Sequence, residues 1–144
     1  MARQAADRGQ ASADRWSGGP ARTALPEGTV AADQPARDAA LATPPPLTAA
    51  LIDRGQERYG IYCAVCHGAR GEGDGTIVRR GFPAPPSFHA PRLAAAPPAY
   101  VVDVITHGHG VMYSYADRVE PADRWAIAAY VKALQRVPAG GPQR

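Results

Sequence analysis

Cys63-Ala64-Val65-Cys66-His67 holds the only two thiols of the chain, three residues apart, with an imidazole directly after the second. On a helical turn, residues at i and i+3 share one face, so both sulfurs meet the same edge of whatever lies against that face. C-x-x-C-H is the attachment pattern of c-type haem. The thiols of Cys63 and Cys66 add across the two vinyl groups of the porphyrin, and His67 then lies under the ring as proximal iron ligand. Such a motif constrains the fold around it, because the chain must wrap a large flat group. Two other chemistries use C-x-x-C. A zinc site would need His89, His107 or His109 to complete it, but His107-x-His109 lacks the usual H-x₃₋₅-H spacing and no second C-x-x-C exists. A redox dithiol belongs in a βαβ setting, whereas a helical pattern precedes Cys63 here.

Composition divides the chain. Residues 1–50 contain one aromatic, Trp16, and six large apolar residues, with five arginines against five acids. They cannot bury enough surface to offset their ordering entropy. Residues 1–47 are therefore expected to form an extended Pro/Ala-rich arm with little structure of its own. Pro44-Pro45-Pro46 stiffens its end. Residues 48–137 hold the domain, and 138–144 a short tail. The net charge of +3 lies entirely in residues 51–144 and is too mild for a nucleic-acid binder. No stretch approaches the ~18 apolar residues of a membrane span. The first residues also lack the apolar core of a signal peptide, so a processed or truncated chain is expected.

The periodicities predict an all-α domain. A first helix spans 48–62, with Thr48 as N-cap and Leu51, Ile52, Tyr59 and Tyr62 at near-helical spacing. A second starts at Pro97-Pro98, carries Val101, Val104 and Ile105, and stops before Gly108. A third starts near Pro121, presents Ile127, Tyr130, Val131 and Leu134 on one face, and ends at Pro138. Residues 68–98 contain five glycines and six prolines, which break both helical and strand periods. A stretch that long without structure suits a small domain only if it wraps something that is not protein.

A six-coordinate iron needs a second ligand. Met112 is the only methionine besides Met1 and follows Gly108 and Gly110 between the second and third helices. It is the expected distal thioether; His107 and His109 are the alternatives, and a bis-His iron would have a lower potential. A carbonyl of the proline loop, from Pro83, Pro85 or Pro86, is expected to accept from His67 Nδ1 and fix the imidazole. Tyr113, Tyr115 and Arg118 are candidate donors to the haem carboxylates.

These motifs resemble class I cytochromes c. Gly55-x-x-x-Tyr59 before the thiols resembles that family's glycine–aromatic pair on the first helix, and Ile127 with Tyr130 its pair on the last. The resemblance implies three or more helices around one covalent haem c, with the first and last crossing closely at Gly55. Tyr113 stands after Met112 where such cytochromes usually have proline. Arg54–Gly68, Gly71-x-Gly73-Asp74-Gly75, Arg80–Phe88, Asp103-Val104-Ile105-Thr106 and Asp123–Ile127 are similar to the monohaem subunit of alternative complex III, a quinol-oxidising bacterial membrane complex. Pro26-Glu27-Gly28-Thr29-Val30 is similar to that subunit's extended N-terminus.

The expected function is one-electron transfer, without catalysis of its own, since no paired carboxylates, nucleophile–base set or phosphate loop is present. The resemblance implies other subunits of a quinol-oxidising complex as partners, contacted largely through residues 1–50, together with redox donor and acceptor proteins. Haem c attachment implies the periplasmic side of the membrane, held peripherally or by a lipid anchor. A diffusible cytochrome, or a cytochrome domain of another oxidoreductase, is the alternative reading; a structural zinc module is a remote one.

Overall fold

The structure, a computed structural model, describes residues 27–137. The expected arm over 1–26 and the tail over 138–144 lie outside the described residues. The chain divides into two compact units, Met1–Gln34 and Pro35–Arg144. The described part of the first contains a turn with Gly28 at φ 81°.

The remaining helices are α1 (Gln34–Ala42), α2 (Ala49–Tyr62), α3 (Ala64–His67), α4 (Pro91–Ala95), α5 (Pro98–His107) and α6 (Pro121–Leu134), with a 3₁₀ turn over Val78–Arg80. No strand occurs among the described residues, only an isolated bridge between His109 and Met112. The domain is all-α, as its periodicities predict. α2 and α5 coincide with two of the expected helices; α6 starts at Pro121 as expected but ends at Leu134, short of Pro138, because Arg136 N and Val137 N turn to the carbonyls of Ala133 and Leu134. Thr48 Oγ1 accepts from Leu51 N at 3.1 Å, satisfying one of the amides a helix start leaves open. Pro98 and Pro121 begin α5 and α6, where a missing N–H costs nothing.

α2 and α6 form the central pair. A Cβ at Gly55 would overlap the carbonyl of Ala126 and press on Tyr130 Cβ, so the backbones touch there, as expected of this position. Tyr59, Ile105, Val119, Ile127 and Val131 form the main apolar cluster. Fully burying a side chain such as Ile127 or Val131 contributes about 1.5–3 kcal/mol. At the edge of the crossing, Asp123 on α6 accepts from Arg54 at 2.8 and 3.1 Å and pairs with Arg58 at 3.2 Å, both on α2.

The arm differs from the expectation. Residues 35–47 belong to the same compact unit as the domain, and α1 packs Leu41 on a second cluster of Val102, Trp125 and Ala128. The Trp125 indole donates to the carbonyls of Ala40 and Leu41 at 3.1 and 3.2 Å. Arg37 pairs with Glu120 at 2.7 Å. Composition misjudges this segment because the apolar surface it lacks is supplied by α5 and α6.

The Gly/Pro-rich stretch is tied to the thiol motif by backbone bonds. Ile77 N donates to Val65 O at 3.1 Å, Gly75 N to Cys66 O at 3.0 Å and Gly73 N to His67 O at 2.8 Å. The approach is so close that a Cβ at Gly75 would collide with the carbonyls of Val65 and Cys66. Farther on, Lys132 Nζ donates to Ala94 O and Ala96 O at 2.8 and 3.0 Å, closing the C-terminal end of α4.

Candidate haem-binding site

Cys63 ends α2 and opens α3. Its carbonyl accepts from Cys66 N at 3.1 Å and from His67 N at 2.9 Å, so both thiols and the imidazole ride on one tight turn. All three line an apolar cleft of about 240 Å³. Burial, and then the neighbouring Cys66, push the Cys63 thiol up to about 12. Burial alone lowers His67 to about 4, leaving a neutral imidazole whose lone pair is free for a metal.

His67 lies against Phe88, with ring centroids 4.6 Å apart and planes at 13°. Phe88 is held from both sides of its backbone: its N donates to Gly71 O at 2.8 Å, and its O accepts from Gln135 Nε2 at 2.9 Å. His67 Nδ1 is buried without a hydrogen-bond partner. The expected bond from His67 Nδ1 to a proline carbonyl is therefore not made, although Pro83, Pro85 and Pro86 all line the cleft.

Met112 reaches the same cleft from the segment between α5 and α6. His109 and Met112 exchange backbone bonds at 2.9 and 3.0 Å around Gly110, which turns at φ 58°. Tyr115 also lines the cleft, and Arg118 stands 5.8 Å over its ring. Tyr113 does not line the cleft and is 85% exposed.

The other histidines divide. His109 lines the cleft, whereas His107 is exposed, its Nδ1 2.8 Å from Asp103 Oδ1. His89 Nε2 bonds Arg70 O at 2.9 Å. Among the described residues no three of His, Cys, Asp or Glu gather to hold a metal ion, so the Cys–His zinc arrangement is not assembled. An apolar cleft flanked by two thiols on one turn, a buried neutral imidazole and a thioether fits a covalently attached haem.

Arg124 lies behind the distal segment and was not singled out by sequence reasoning. It is 2% exposed. Its Nε donates to Val119 O at 2.9 Å, one terminal nitrogen to Ala116 O at 2.9 Å and the other to Thr106 Oγ1 at 3.0 Å. Burial lowers its pKa.

Among known proteins, the cbb3-type cytochrome c oxidase subunit CcoP of Azospirillum sp. (strain B510) is 32% identical over 87 residues, 60% of this chain and 29% of that protein. Among solved structures, the Kuenenia stuttgartiensis reducing HAO-like protein complex Kustc0457/Kustc0458 contains a similar chain, with a TM-score of 0.57 and 28% identity. That match covers 65% of this chain and 48% of the other. The chain thus spans less than a third of its CcoP relative. Neither relative is a subunit of alternative complex III, the finer resemblance carried by the local motifs. The family described as cytochrome c oxidase, cbb3-type, subunit III, matches residues 50–131. With more than half its length so matched, the chain belongs to this family of cbb3-type cytochrome c domains.

Proposed function

We propose that this chain carries one covalent haem c and serves one-electron transfer as a subunit of a membrane respiratory complex. The observation that carries this reading is the apolar cleft that Cys63, Cys66, His67 and Met112 line together. When bound, haem c supplies a one-electron iron couple. Cys63 and Cys66 fix the group by thioether bonds, His67 offers a neutral imidazole, and Met112 offers a thioether from the opposing segment. Phe88 restricts rotation of the imidazole, and the apolar walls exclude water, so the ligands and the low polarity together set the potential.

The complex we favour oxidises quinol and is of the alternative complex III type. Support comes from the run Arg54–Gly68 and from Arg80–Phe88, which resemble that complex's monohaem subunit. The similarity to CcoP favours instead a place in a terminal oxidase. In both settings the domain faces the periplasm, with the residues before α1 as its main attachment to neighbouring subunits, since α1 itself packs on the domain. Among the described residues no helix is long and apolar enough to cross a membrane.

Purification from native membranes tests this proposal. A pyridine haemochrome spectrum of the c type, co-migrating with quinol-oxidising activity that does not reduce oxygen, is expected. Co-migration with oxygen-reducing activity would assign the chain to an oxidase. Migration as a small free species would make it a diffusible carrier, and absence of c-haem bands would remove the haem reading.

A further inference from the structure

Resting on the haem reading above, we propose that Arg124 is a positioning residue that holds the distal ligand Met112 in place by gripping both ends of the segment that carries it. Thr106, at the end of α5, begins this segment, and Ala116 and Val119 lie near its close. The guanidinium bonds all three. Only a planar fork meets three acceptors in divergent directions at once; a lysine ammonium on its flexible stem does not.

Burial and Arg37 oppose the charge more than Glu120 favours it. All three acceptors are neutral oxygens, and burying a cation away from water is costly unless each donor finds a partner. The hydrogen bonds are therefore the feature that distinguishes Arg124 from an apolar residue of similar size. Thr106 is itself oriented, since its hydroxyl donates to Val102 O at 2.7 Å and so presents a lone pair to Arg124. Val119, whose carbonyl Arg124 holds, is buried and lines the cleft.

Within the gripped segment, two further bonds close the loop. Ser114 Oγ donates to Thr106 O at 2.6 Å and Tyr115 N to Ile105 O at 2.9 Å. Met112 sits inside these closures, half-buried. Tyr113, which follows it, brings none of the backbone restriction of a proline. The constraint on Met112 is thus applied twice, by these bonds within the loop and from outside it by Arg124 on α6.

Imidazole binding to the ferric full-length holoprotein provides the test, because imidazole competes with Met112 for the iron. Arg124→Lys should raise imidazole affinity at least tenfold. Thr106→Val, which removes one acceptor, should raise it about threefold and decides the matter if Arg124→Lys does not fold. Arg54→Met, which breaks the exposed α2–α6 ion pairs with Asp123, should leave affinity within twofold. The proposal is overturned if Arg124→Lys, or Thr106→Val in its place, stays within twofold, or if Arg54→Met raises affinity as much as they do. Met112→Ala is the separate control: an unchanged ferric spectrum there would remove Met112 as ligand and with it the reading beneath the proposal.

Discussion

The carbonyl of Ala126 on α6 occupies the space where a side chain at Gly55 on α2 would begin. The crossing that closes the domain therefore depends on a missing methyl group. Alanine is the better helix former by roughly 1 kcal/mol. Packing should outweigh that gain, because the clash is with backbone, which cannot rotate away. Gly55→Ala is expected to destabilise the domain by about 1–3 kcal/mol. Denaturant unfolding of the holoprotein checks this, and an unchanged or higher midpoint would contradict it.

Tyr59 is buried and donates to Gly68 O at 2.6 Å, tying α2 to the residue after His67. Burial, more than the nearby thiol, raises its pKa above the ordinary 10. A raised folded-state value means that stability is fully present below pH 10 and is lost as pH rises beyond it, because the unfolded phenol ionises first. Tyr59→Phe should cost about 1 kcal/mol at neutral pH through the lost hydrogen bond. It should also flatten the fall in stability above pH 10. Unfolding curves at pH 7 and pH 10.5 measure both effects, and an equally steep alkaline loss in the variant would refute the assignment.

α1 is attached by Trp125 more than by its ion pair. Trp125→Phe removes the donor to Ala40 and Leu41 and should cost at least about 1 kcal/mol. Cleavage near residues 43–47 should become faster in limited proteolysis. Arg37→Ala, which breaks an exposed pair with Glu120, should change stability by less than about 1 kcal/mol. Equal effects of the two substitutions would reverse this ranking.

Met112→Ala should abolish the low-spin His/Met spectrum of the loaded protein. Met112→His should restore six-coordination at a lower potential, since thioether ligation raises it. Spectroelectrochemistry reads both outcomes. A Met112→Ala protein with unchanged spectrum would point to His109, which lines the cleft, rather than His107, which does not.

The three long helices are legible in the sequence because each carries its own signal: Thr48 as a cap, Pro98 and Pro121 at first turns, and apolar residues recurring at helical spacing. The thiol–imidazole turn is equally legible, since C-x-x-C-H is a local chemical pattern. α1 is not, because Gln34–Ala42 carries a single large apolar residue, Leu41, whose packing partners are distant in sequence. α4 hides in a proline-rich run and is only five residues long. Tyr113 and Tyr115 look alike on paper, and only the path of the folded segment separates the exposed ring from the lining one. Arg124, within an acidic first turn beside Asp123, reads as a solvated charge. No local signal marks it, because its acceptors lie on residues 5, 8 and 18 positions away.

The chain's sole lysine, Lys132, already has its ammonium committed to the carbonyls of Ala94 and Ala96. Side-chain amine chemistry has little to grip on this protein. Lysine-directed cross-linkers would map few neighbours even if the domain sat tightly against them. Any cationic docking face must be built from arginine, whose planar, weakly hydrated head pairs with carboxylates two bonds at a time. Mapping what this domain touches will depend on reagents that attack carboxylates or arginine.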